Sequence, residues 1–134
     1  MNSVRTLKNI LLVDDEPDIL TVAEIALSRV GGLEVHAYSS SQKALDEVEN
    51  IKPDLIILDM MMPVLDGMQT LARLKNIKSL SEVPVIFMTA KVQQNEIDAY
   101  IKAGAADVIN KPFDPMKLAE KVREVWESNG VDND

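Results

Sequence analysis

The residues with the clearest chemical potential are polar side chains that follow short apolar runs. Three carboxylates, one hydroxyl and one ammonium group occupy such positions: Asp14, Asp15, Asp59, Thr89 and Lys111. Clustered carboxylates repel one another, and they stay ionised near neutral pH only when a cation lies close by. Carboxylate ligands without His or Cys favour Mg²⁺, Mn²⁺ or Ca²⁺ over zinc. These residue types therefore suit a hard cation, and Lys111 adds a second positive contact for an anion such as a phosphoryl group.

The composition narrows the chemistry further. The chain has no cysteine and one histidine, which excludes disulfides, thiolate chemistry and a metal site built from several histidines. A carboxylate is then the obvious nucleophile, and phosphoryl transfer accepts one. Each polar residue also has an ordinary structural explanation, because acids are common at helix starts and in turns. Their shared position at strand ends favours the functional interpretation.

Length and charge restrict the class of protein. The 134 residues, 46% of them hydrophobic, suffice for one domain with a real core, and the net charge of −8 opposes binding to nucleic-acid phosphates. The first nine residues are too short and polar for a signal peptide, and no apolar run approaches the ~20 residues of a membrane span. We expect a cytoplasmic domain over residues 9–128, an N-terminal segment over 1–8 and a flexible tail over 129–134.

An alternation of apolar runs and helical periods organises the chain. Strands are predicted at 10–13, 33–38, 55–58, 85–88 and 107–109, and helices at about 19–30, 41–49, 68–75, 95–103 and 115–127. The second strand contains Glu34 and His36 and is predicted to lie at an edge. Asp114 is the predicted N-cap of the last helix, with Pro115 in its first turn. Five βα units predict an α/β fold with a doubly wound parallel sheet, whose carboxyl edge gathers the polar residues.

Several short motifs in this order resemble the receiver domain of bacterial two-component response regulators. They are ILLVDDE (10–16), PDLIILD (53–59), MP (62–63), DG (66–67), PVIFMTA (84–90), AGA (103–105) and KPF (111–113). The resemblance covers residues 9–126. It implies a flavodoxin-like fold of five strands in the order 2-1-3-4-5 with five helices, and a cis peptide bond between Lys111 and Pro112.

The same resemblance implies a role for each candidate residue. Asp59 is the expected acceptor of a phosphoryl group from the phosphohistidine of a histidine kinase or phosphotransfer protein. Asp14 and Asp15 match the acidic pair at the Mg²⁺ site, where Mn²⁺ is also possible, and the backbone carbonyl of Met61 completes the ligands with Asp59. Thr89 matches the switch hydroxyl, and Lys111 the lysine that pairs with the phosphoaspartate. The expected output is a downstream protein target or an output domain missing from this sequence, without direct nucleic-acid binding.

Particular residues of this sequence speak against two other functions. An aspartyl-phosphate hydrolase acting on external substrates usually carries an acid two residues after the nucleophile, where this chain has Met61. A flavin carrier on the same fold would meet repulsion between Asp14–Asp18 and the flavin phosphate.

The chain departs from the usual receiver pattern at one position. Many receivers place Tyr or Phe three residues before the lysine, where this chain has Val108. Tyr100 on the preceding helix is a candidate substitute, although packing is the ordinary explanation for it.

Overall fold

A central parallel sheet of five strands forms the framework of the protein. The computed structural model describes residues 6–90 and 93–129. The strands are β1 (Asn9–Val13), β2 (Glu34–Tyr38), β3 (Leu55–Asp59), β4 (Val85–Thr89) and β5 (Asp107–Asn110). Their spatial order is β2-β1-β3-β4-β5, and all neighbouring pairs are parallel. The predicted sheet, its strand order and the edge position of β2 are confirmed.

Five helices connect and cover the strands. They are α1 (Pro17–Ile25), α2 (Ser41–Ile51), α3 (Gly67–Lys75), α4 (Gln94–Ala103) and α5 (Leu118–Ser128). A π-helical turn, Ala26–Val30, extends α1 until the chain leaves the helix at Gly31. The peptide bond between Lys111 and Pro112 is cis, as the resemblance implied.

The start of α5 differs from the prediction. The helix begins at Leu118 with Lys117 as its N-cap, not at Pro115 with Asp114 as the cap. The Asp114 carboxylate instead accepts a hydrogen bond of 2.9 Å from the amide of Met116. This local bond closes a turn before the helix, a conformation that Asp side chains commonly stabilise.

Two buried layers cover the faces of the sheet. Strands β3 and β4 are buried along their whole length, and β1 is buried from Ile10 onward. One face packs against α1 and α5, and the other packs against α2 and α3. Because both faces are covered, the apolar residues of the central strands are continuous instead of alternating. The core thereby fixes the strand ends that carry the polar residues.

Most of the predicted N-terminal segment and most of the predicted tail lie outside the described residues. Within residues 6–90 and 93–129, no helix has the combination of length and apolar character that membrane crossing requires.

A strained residue lies in the loop between β3 and α3. Val64 has a φ of 69°, in the left-handed region that β-branched residues rarely adopt. Its side chain is 92% exposed, so packing offsets little of the strain. Glycine and asparagine tolerate this backbone conformation far better than valine.

We predict that Val64→Gly and Val64→Asn each raise the free energy of unfolding by roughly 1 kcal/mol, because both relieve left-handed strain. Urea denaturation would measure the change as a higher midpoint with an unaltered slope. Val64→Ala is the matched control, since it removes the exposed side chain but keeps a Cβ. An equal gain in Val64→Ala would show that loss of the exposed valine side chain, not backbone strain, controls stability.

Candidate functional site

The five candidate residues lie at the carboxyl edge of the sheet. Asp59 and Thr89 are the last residues of β3 and β4, and Asp14 directly follows β1. In the sheet register Asp59 pairs with Met88, while Thr89 pairs with Asn110, the residue before Lys111. The parallel register thus brings together residues that are far apart in the sequence. The predicted convergence is confirmed.

Lys111 connects the acidic residues. Its Nζ atom lies 2.8 Å from Oδ2 of Asp14 and 3.1 Å from Oδ1 of Asp59. Both carboxylates are nearly inaccessible to solvent, with relative exposures of 0% for Asp14 and 2% for Asp59. Buried charges are costly unless they are paired. The ammonium group therefore compensates the two most buried acids of the site.

Glu16 is a third contact of Lys111 that the sequence reasoning left without a role. Its Oε1 atom accepts a hydrogen bond of 2.9 Å from Nζ of Lys111, and its side chain is 60% exposed. Glu16 belongs to the acidic run that follows β1, but the sequence of that run does not show which acid contacts Lys111. Glu16 lies at the solvent-exposed rim of the site.

Backbone amides fix the orientation of the two buried carboxylates. The amide of Glu16 donates a hydrogen bond of 2.9 Å to Oδ1 of Asp14. The amide of Met61 donates one of 3.3 Å to Oδ1 of Asp59. Each carboxylate is thus held by the loop that follows its own strand. The role of the Met61 carbonyl as a metal ligand stays a prediction.

Three carboxylates form a group that suits a metal ion. One oxygen from each of Asp14, Asp15 and Asp59 lies within 4.8 Å of the others. Asp15 is half-buried, so the group opens to solvent on its side. The donors are carboxylate oxygens only, the type that Mg²⁺ and Mn²⁺ prefer. The residues present therefore fit a hard divalent cation.

The surroundings shift the pKa values of Asp59 and Lys111. Burial raises the pKa of Asp59 to about 6, and repulsion from Asp14 adds to this, although hydrogen bonding to Lys111 acts in the opposite direction. Burial alone would lower the pKa of Lys111, but hydrogen bonds to Asp14, Glu16 and Asp59 outweigh it and raise the pKa. Lys111 is consequently cationic at neutral pH. The pKa of Asp59 therefore lies close to neutral pH, and binding of a further cation would lower it.

Thr89 is buried, with 3% exposure, and its backbone is joined to the lysine segment. The backbone carbonyl of Thr89 accepts a hydrogen bond of 2.9 Å from the amide of Lys111. This hydrogen bond joins the end of β4 to the segment that carries Lys111. Val108 lies in β5 opposite Phe87, and Tyr100 packs against Phe87 from α4.

Comparison with known proteins identifies the family. A model of the response regulator receiver domain matches residues 10–123, which is most of the chain. The chain belongs to the response regulator receiver family. Receiver domains are signalling domains of two-component systems, and the acidic group of Asp14, Asp15 and Asp59 is typical of their Mg²⁺ site.

Receivers of larger regulators are among the relatives. The chain is 36% identical over 118 residues to the alkaline phosphatase synthesis transcriptional regulatory protein PhoP of Bacillus subtilis, covering 88% of this chain and 48% of that protein. It is 35% identical over 123 residues to the phosphate regulon transcriptional regulatory protein PhoB of Pseudomonas aeruginosa, covering 92% and 53%. The chain spans about half the length of these curated relatives.

Solved receiver structures share the fold. The chemotaxis response regulator CheY4 of Vibrio cholerae aligns with a TM-score of 0.83 at 25% identity, covering 90% of this chain and 99% of that one. A putative response regulator from Chloroflexus aurantiacus aligns with a TM-score of 0.82 at 29% identity, covering 91% and 99%. The flavodoxin-like fold implied by the resemblance is confirmed.

The raised pKa of Asp59 predicts a pH-dependent gain in stability for Asp59→Asn in metal-free buffer. The folded state binds a proton on Asp59 at higher pH than the unfolded state, so wild-type stability falls as the pH rises from about 4 to about 6. Asparagine stays neutral and avoids this loss. The advantage of the variant should be small below about pH 4 and reach roughly 2 to 3 kcal/mol above pH 6. Urea denaturation across this range measures it, and a pH-independent difference would contradict the burial effect.

Proposed function

We propose that this receiver accepts a phosphoryl group on Asp59 from the phosphohistidine of a histidine kinase or phosphotransfer protein. The observation that carries the proposal is the Lys111 ammonium group, which lies 2.8 Å from Asp14 and 3.1 Å from Asp59 beside a three-carboxylate group. Transfer of an anionic phosphoryl group requires a nucleophile and nearby positive charge. Asp59 would be the nucleophile, Lys111 supplies one positive charge, and a metal ion held by the carboxylates would supply the other.

Each residue of the site would have a separate role in the transfer. An Asp59 carboxylate oxygen attacks phosphorus as the P–N bond of the phosphohistidine breaks, and the imidazole leaves with that electron pair. Lys111 neutralises one phosphoryl oxygen, and the Thr89 hydroxyl donates a hydrogen bond to another. Asp14 keeps Lys111 charged and aimed at the site.

A divalent ion would supply the remaining charge. Asp15, Asp59 and the backbone carbonyl of Met61 would hold Mg²⁺ most directly, with Mn²⁺ as a substitute and Asp14 as the other member of the acidic pair. When bound, Mg²⁺ neutralises carboxylate repulsion and binds phosphoryl oxygens. Asp59 would then be ionised and ready to attack at neutral pH.

The proposed partners follow from this chemistry. Phosphorylation would switch a protein-binding surface that acts on a downstream protein or on an output domain. The relatives PhoP and PhoB are named transcriptional regulatory proteins, so an output partner that regulates transcription fits this chain. The net charge of −8 opposes direct nucleic-acid binding by the receiver itself. We place the exchange in the cytoplasm.

The proposed catalysis is limited to the phosphorylation and dephosphorylation of the chain itself. A hydrolase for external phosphate esters needs a general acid for its leaving group. Two residues after Asp59 the chain carries Met61, whose side chain is 74% exposed and has no titratable proton. This position favours a signalling domain over a hydrolase.

We predict that acetyl phosphate with Mg²⁺ adds one phosphoryl group to the chain. Asp59 is the expected acceptor because Lys111 and the carboxylate group prepare it for attack. Intact mass spectrometry would detect the added mass, and Asp59→Asn should show none. Excess EDTA should abolish the modification of the wild-type chain, and labelling that persists in EDTA would contradict metal dependence.

We also predict that Asp15→Asn lowers Mg²⁺ affinity by at least about tenfold, because few protein ligands hold the ion. Isothermal titration calorimetry would measure the dissociation constant. Asp18→Asn is the matched control, since this acid is in α1, outside the carboxylate group. Equal affinities for Asp15→Asn and the control would remove Asp15 from the metal site.

A further inference from the structure

Helix α4 is attached to the domain differently from the other helices. Helices α1, α2, α3 and α5 each contribute at least one buried residue, whereas α4 contributes none. Among the described residues of α4, Tyr100 alone packs against a buried core cluster. Ile101, the next residue, is 44% exposed. Among the described residues of α4, Tyr100 is therefore the main side-chain contact with the core.

Tyr100 makes a specific contact with strand β4. Its ring packs edge-to-face against Phe87, with centroids 5.4 Å apart and an interplanar angle of 82°. Phe87 is fully buried and lies in the middle of β4. An edge-to-face pair has a preferred geometry, so a change in the position of one ring changes the favoured position of the other.

Phe87 is close to the candidate site along the same strand. Phe87 and Thr89 are two residues apart in β4, so their side chains project to the same face of the sheet. Thr89 in turn joins Lys111 through a backbone hydrogen bond of 2.9 Å. Lys111, Thr89, Phe87 and Tyr100 are thus joined in series by a backbone hydrogen bond, by strand β4 itself and by a ring contact.

Two acidic groups influence the phenol of Tyr100. Burial raises the pKa of its phenol, and the charges of Glu96 and Asp66 raise it further. Asp66 is the N-cap of α3, in the loop that follows Asp59. Its carboxylate also forms a capping box with Gln69, which fixes the loop end. Tyr100 therefore packs on β4 through Phe87, and the charge of Asp66, in the loop after β3, acts on its phenol.

We propose that Tyr100 is the positioning residue that couples the phosphorylation state of Asp59 to the placement of α4. A shift of Thr89 toward a phosphoryl group would move the end of β4 and Phe87, and Tyr100 would carry α4 with it. Val108 in β5 packs against the same core cluster but has no ring and makes no comparable directional contact. The inference rests on the proposed function, because it needs a phosphoryl group on Asp59.

The first experiment uses the unaltered sequence with fluorotyrosine incorporated. The chain has two tyrosines, so two ¹⁹F signals are expected, and Tyr38→Phe assigns them. Acetyl phosphate with Mg²⁺ should shift the Tyr100 signal while intact mass spectrometry reports a phosphoryl group. A Tyr100 signal that stays in place in a fully phosphorylated sample would overturn the coupling. Absence of the added mass would instead count against the proposed function.

Hydrogen exchange of α4 then tests whether Tyr100 carries the change. Phosphorylation should alter exchange in residues 94–103 several-fold in the wild-type chain and in Tyr100→Phe, which keeps the ring. Tyr100→Leu should lose this response while still gaining the phosphoryl group. Val108→Ala is the matched control and should keep the response. A purely structural role would change stability but leave the response intact, so a normal response in phosphorylated Tyr100→Leu would refute the proposal.

Discussion

The attraction between Lys111 and the buried acids at the carboxyl edge of the sheet is the constraint on which the site depends. Three carboxylates within a few ångströms of one another would repel strongly in a buried setting. The ammonium group at 2.8 Å from Asp14 and 3.1 Å from Asp59 makes this arrangement tolerable. Lys111 keeps its place because its backbone amide bonds to the end of β4. The sheet register, the loops and the lysine thus form one electrostatic unit.

Lys111 neutralises the negative charge of this unit only in part, and a site that binds a further cation is consistent with the proposed function. The pKa of Asp59 remains raised despite Lys111, so the site still gains from additional positive charge. A divalent cation would satisfy that demand and a phosphoryl group would change it again. The buried central strands supply stability that offsets the cost of placing these carboxylates close together. Changes in charge at Asp59 are therefore expected to move neighbouring segments, beginning with the end of β4.

Much of the fold and site could be predicted because the underlying patterns are local. Continuous apolar runs mark strands covered on both faces, and the polar residue after each run marks its carboxyl end. Features that depend on tertiary contacts could not be read in the same way. The sequence does not distinguish which acid after β1 reaches Lys111, so Glu16 was missed. The start of α5 was placed too early because Asp114 suits both a helix cap and the turn that it forms. The pairing of Tyr100 with Phe87 becomes visible only when α4 is placed on the sheet.

A crystal structure of the chain with Mg²⁺ and beryllofluoride, a stand-in for the phosphoryl group, would test the central claim most directly. The proposed roles predict beryllium bonded to an Asp59 oxygen, with Lys111 and Thr89 each contacting a fluorine atom. They also predict Mg²⁺ at about 2.1 Å from Asp15, Asp59 and the Met61 carbonyl oxygen. Beryllofluoride absent from Asp59 at saturating concentration, or a metal ion bound away from the three carboxylates, would contradict it.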